Sequence, residues 1–254
     1  MTTTDLARRG RSPYHHLWGV LALLIPTALL GFAKSYFKGL TFSGLSVTTI
    51  IHVHAALMAL WILMLIGQAW LIHTRRYRVH RWVGRSSFAI APLIMIMAGV
   101  TTHELLNRKM PDITTLDARF KIYDLLQVLG FGLSWALALV YRKRIPLHVR
   151  FMVSTAFAFG SAFVFRILLN WFQWMPGMSV VDNMENIDNV AAANGMVLVL
   201  MLLGLIAMDW RLGIKRSPFW LVTGTTVVIH VGFFTFTKTD WWMALVQWFA
   251  DLRL

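Results

Sequence analysis

The chain has no cysteine, so it can form no disulfide, has no disulfide-linked partner and offers no thiolate to a metal. Charge is scarce as well. Only 14% of the 254 residues are Asp, Glu, Lys or Arg, where a soluble domain carries about 25%. Acids are the scarcer sign, 11 against 24 basic residues. No low-complexity segment is present, and no inverted repeat or pair of broken helices of the kind that builds many transporters is visible.

Apolar residues fill the space, 57% of the chain. They gather in runs of roughly 17–25 residues, the length that crosses a hydrocarbon core as a helix. Seven such runs are read near 17–33, 47–72, 82–102, 120–140, 148–170, 190–210 and 219–236. In lipid the backbone must satisfy its own polar groups, so these are helices. The expectation is an all-α, polytopic transmembrane bundle in one domain, 1–254. A C-terminal segment, 240–254, carries Trp241, Trp242 and Trp248 and suits a short helix at the membrane interface. The first run follows basic residues as a signal peptide would. It is long, however, contains Pro26 and lacks a small-x-small cleavage site, so it reads as a retained helix.

The net charge of +13 could point to nucleic acid, but its placement does not. With the N-terminus cytoplasmic, the inner segments hold fifteen basic residues and two acids, and the outer segments nine of each. The whole excess lies on one side, as the positive-inside rule requires. The partner implied is the lipid bilayer and not nucleic acid, with the C-terminus outside.

Histidines within the spans are the strongest functional signal, because an ionisable side chain in a spanning helix costs about 2.5–3.5 kcal/mol on insertion scales. They form two groups. His80 and His148 each open a span on the inner side, beside Arg81, Arg85 and Arg150. Facing one another, they could hold a haem iron from both sides while the arginines neutralise its propionates. Equally, a His and an Arg at a helix start are common interfacial residues, snorkelling toward lipid phosphates.

The stretches HRWVGRSSF at 80–88 and HVRFMVSTAFAFGSAFVFRIL at 148–168 resemble a bacterial polytopic membrane family, the domain of unknown function numbered 2306. That family pairs a His-Arg-x-x-Gly-Arg helix start with a later His-x-Arg-x-Met start, followed by an Arg near the far end, here Arg166. The span before them, with His52 and His54 early and Gln68 late, fits as well. The resemblance covers roughly 47–170. It implies a multi-pass protein of the bacterial inner membrane and carries no established activity.

The outer group is more diffuse. His54, Trp61 and Gln68, seven apart, share one stripe of their helix, and His52 lies about 200° away from His54. Asp124, Gln127, Arg166, Asn194, His103 and His230 fall at similar depth in other spans. An Asp124–Arg166 ion pair is expected, since buried charge is normally paired. A purely structural polar network accounts for these residues as well as a site does.

Three functions remain open. A b-type haem protein for electron transfer, with a redox partner or quinone, would use His80 with His148 and His52 or His54 with another outer residue. The pattern looks like two-haem b-type cytochromes of the ascorbate-reducing kind, yet the fourth span has no His, so His230 or His103 would have to substitute. A metal-dependent hydrolase would bind a transition metal through His54 and His230, with His52 or His103 as third ligand and Asp124 nearby, although no His stands four residues from His230. A transporter, sensor or assembly factor would use the same histidines to bind a ligand or relay protons.

Overall fold

Pro26 has no N–H to give the Ala22 carbonyl, and its ring crowds that oxygen. The first apolar run accordingly folds as two short pieces, α1 (Leu17–Ala22) and α2 (Leu24–Phe32), parted at Leu23. The structure is a computed structural model that describes residues 16–37, 47–172, 187–215 and 217–253. The later runs give α3 (Thr49–His73), α4 (Tyr77–Arg85), α5 (Ser87–Asn107), α6 (Thr115–Val140), α7 (Ile145–Trp171), α8 (Ile187–Arg211) and α9 (Phe219–Phe234). A single 3-10 turn at Phe236–Lys238 leads to α10 (Asp240–Asp251). No strand occurs among the described residues.

Among the described residues six helices are long and apolar enough to cross a membrane, with α4 and α5 counted as one. This is the architecture of a multi-pass integral membrane protein. The expected first span is instead a shorter apolar stretch, Leu17–Phe32. The third begins earlier than the apolar run, because α4 is a separate amphipathic piece. Ser86 and Ser87 turn their hydroxyls onto the Val83 and Gly84 carbonyls, each at 2.7 Å, which competes with the helix ladder and sets α4 off from α5.

Local signals explain where the long helices begin. Thr114 and Asp117 form a capping box at the start of α6, each side chain accepting from the other's backbone N–H at 3.1 Å. Pro146 stands in the first turn of α7, where a missing N–H costs nothing. Neighbours pack α6 on α7, α8 on α9, α3 on α5 and α1 on α3, while α2 leans on α7. The last contact needs Gly31, where an added Cβ would sit 3.1 Å from the Phe163 carbonyl oxygen and 3.2 Å from its Cα. Backbone cannot yield as a side chain can, so only glycine lets the two helices approach this closely.

The C-terminal segment is more than an interfacial float. Trp242, Val246 and Ala250 are buried against α5 and α6, and Trp242 Nε1 donates to the Ala118 carbonyl at 2.7 Å. His103 Nε2 bonds the Leu252 carbonyl at 2.7 Å, and Asn107 donates to that of Ala250 at 3.1 Å. Trp241 and Trp248 remain exposed on the other face, as a membrane-interface helix would have them. α10 thus closes one end of the bundle, opposite the end that carries the arginine-rich connections.

Candidate functional site

At the arginine-rich end, α4 and α7 present His80 and His148. Both are half-buried, and each lies within electrostatic reach of the other without a hydrogen bond between them. Both rings are held through Nδ1. That of His148 donates to the Ala138 carbonyl at 2.8 Å, which leaves Nε2 as a bare lone pair. That of His80 meets Gln68, which reaches across from α3. With the amide nitrogen turned to Nδ1 and to the His80 carbonyl (3.1 Å), the Gln68 oxygen accepts from the Gly84 N–H at 3.1 Å. This orientation satisfies every group and places the His80 proton on Nε2. The reverse orientation, amide oxygen to Nδ1, would free Nε2 as a ligand.

The arginines divide. Arg81 and Arg85 are exposed on α4. Arg150, expected beside the same site, is instead buried against Asp209 of α8, its Nε donating to both carboxylate oxygens at 2.7 and 2.8 Å. A further bond runs from Nη1 to the Pro146 carbonyl at 2.9 Å. Arg150 is therefore spent on a buried ion pair and is not free for a propionate. Asp209 escaped sequence reasoning because it closes an apolar run next to basic residues, which looks like an interfacial acid.

Midway along the bundle the 54–61–68 stripe turns inward as its spacing predicts. Trp61 is fully buried, with Nε1 donating to Thr155 of α7 at 3.1 Å and its ring edge-on to Phe131. It separates the histidine pair from a large cavity toward the other end.

That cavity, about 670 Å³, lies between α2, α3, α5, α6 and α7 and takes in both His52 and His54. His52 is exposed and bonded to the Tyr36 hydroxyl at 2.6 Å. His54 lies within electrostatic reach of Asp124 and Arg166, with a buried Nδ1 that has no partner. The expected Asp124–Arg166 contact does not form. Lys121, one turn away, takes Asp124 at 2.6 Å, and Thr102 adds a bond at 3.3 Å. Arg166 keeps one bond, Nη1 to the Ala162 carbonyl at 3.1 Å, and stacks over Phe32 at 4.6 Å. Its Nε is buried and unpartnered.

His230 belongs to a different place. Its Nδ1 donates to the Thr226 carbonyl at 2.7 Å, its ring packs on Gly195, where a Cβ would meet it at 2.4 Å, and Nε2 is buried without a partner. It borders a separate cavity of about 20 Å³, room for about one water. Gln127 borders both cavities. Asn194 is fully buried and donates to Ser161 at 2.9 Å. Among the described residues no three His, Asp or Glu side chains gather as a metal shell. The His54, His230 and Asp124 set is thus not brought together, and His103 and His52 are occupied elsewhere. The acidic connection before α8 lies largely outside the described residues.

No family model, curated protein or solved structure matches the chain.

Proposed function

We propose that this chain is a b-type haem protein of the membrane, in which His80 and His148 would hold the haem iron. The supporting observation is the pair itself: two imidazoles from different helices, near each other but unbonded, each held at Nδ1, with Nε2 of His148 a bare lone pair and Nε2 of His80 becoming one when the Gln68 amide oxygen turns to Nδ1. Haem iron needs only axial ligands from the protein, whereas catalytic zinc takes three side chains, a number not gathered among the described residues. When bound, haem supplies one-electron transfer. The chain's own residues do the rest. Ala138 orients His148, Gln68 sets the tautomer of His80 by the way its amide faces, and Arg81 and Arg85 are the cations left for the propionates. Tying the ring nitrogen that does not bind metal is the usual way a protein fixes a ligand imidazole.

The reading includes one haem rather than two, since His54 and His230 occupy separate cavities. It also keeps the orientation drawn from charge, with α1 and α2 together forming a first crossing, the N-terminus cytoplasmic and the C-terminus outside. In this reading the membrane is a bacterial inner membrane, which is what a resemblance to the family of unknown function numbered 2306 implies. An absorption spectrum of the detergent-purified protein tests the assignment. A Soret band that disappears in both His80→Ala and His148→Ala is expected. A colourless wild-type preparation would sink it and leave the binding or transport reading.

A further inference from the structure

Eight buried side-chain atoms among the described residues lack a hydrogen-bond partner, and five of them line the same large cavity: those of Ser35, His54, Thr101, Tyr123 and Arg166. Buried polar groups are nearly always satisfied, so a cluster of orphans around one space calls for something that satisfies them. Their chemistry narrows what that is. Three are hydroxyls, each with a proton to donate as well as lone pairs, and one is a guanidinium N–H that can only donate, so an accepting group could be met by four of the five. The charge narrows it further. Lys109 is paired with Asp117 and Lys121 with Asp124, which leaves the Arg166 guanidinium as the cation of the lining that has no carboxylate in contact among the described residues. Most of the remaining wall is apolar, with Phe32, Ile62, Ile94, Phe131 and Phe163 among its residues, and His52, Thr102, Gln127 and Ser161 add further polar groups.

From these observations we infer that the cavity binds an apolar-tailed molecule with an anionic, hydrogen-bond-accepting head, the head held by Arg166 and the tail laid along the aromatic and aliphatic wall. The volume lies within the range of small-molecule sites, roughly 300–1,000 Å³, and apolar walls with a few convergent polar groups are their usual make-up. A route in exists. Leu29 and Phe37 on one side, and His52 and Ala59 on the other, are exposed members of the lining. α2 leans on α7 rather than on α3, so among the described residues the exposed part of the lining falls between α2 and α3. Arg166 binds more specifically than Lys would, because its planar fork matches a carboxylate or a phosphate. The head could be either of these, and the assay separates them. This site is distinct from the histidine pair and does not depend on the haem assignment.

The test measures binding of laurate, dodecyl phosphate, methyl laurate and dodecylamine to the full chain in phosphatidylcholine nanodiscs, with empty nanodiscs as background. Laurate, dodecyl phosphate or both should bind at least about tenfold more tightly than methyl laurate, the scale of one charge-assisted bond, and dodecylamine should not compete. Arg166→Gln should erase that preference while leaving the methyl laurate affinity unchanged, and Arg166→Lys should keep part of it. Ala98→Phe, which fills the apolar section, should weaken acid and ester alike. His80→Ala should leave laurate binding intact. Equal affinity for laurate and its ester in the wild type, or full anion preference in Arg166→Gln, would overturn the proposal. Should Arg166→Gln fail to fold, undiminished laurate binding in Ala98→Phe would do the same.

Discussion

The two ends of this bundle handle buried polarity in opposite ways. At the arginine-rich end, Arg150 meets both oxygens of Asp209, and His80 and His148 are each anchored through one ring nitrogen. At the other end, among the described residues, the cavity holds a cation without a touching carboxylate and four further orphan groups. An apolar surrounding makes a matched polar group cheap to keep and an unmatched one costly. The difference therefore separates an end where each of these groups has at least one protein partner from an end where five polar atoms have none.

The contrast breaks most visibly at the buried ion pair. Asp209→Asn leaves the Arg150 charge buried and unmatched, and should destabilise the protein by about 3–5 kcal/mol, read as a lower denaturation midpoint in detergent. Next in size is Gly195→Ala, whose Cβ would meet the His230 ring at 2.4 Å. Overpacking at such a contact costs about 1–3 kcal/mol, and thermal unfolding checks it. The sharpest comparison is Arg166→Leu. In the ligand-free protein it removes an unsatisfied donor, so it should raise stability by about 1 kcal/mol or more, opposite in sign to Asp209→Asn. A clear loss of stability in Arg166→Leu would show that the fold, and not a ligand, completes that end too. Smallest is Trp61→Phe, which keeps the ring near Phe131 but drops the bond to Thr155, for a loss of about 1 kcal/mol.

Much of this arrangement was legible in the sequence. Run length marks six of the helices, and a seven-residue spacing puts His54, Trp61 and Gln68 on one inward stripe, where the structure has them. Length and hydropathy do not register the break that Pro26 makes in the first run, which folds as two short pieces. Spacing along one helix also says nothing of which helix stands opposite. Thus Asp124 finds Lys121 on its own helix rather than Arg166, and Asp209 claims Arg150 from a distance of 59 residues in sequence. The tryptophans of α10 were read as one interfacial set, although the helix splits them, burying Trp242 and exposing Trp241 and Trp248. The cavity belongs to five elements at once and has no signature in any one of them.

The haem assignment is tested most directly by the haem-to-protein ratio of the purified chain, measured for the wild type and for alanine variants of His52, His54, His80, His148 and His230. One haem per chain is expected in the wild type and in the His52, His54 and His230 variants, and none in the other two. Haem retained without His148, or lost with His54 alone, would contradict the account.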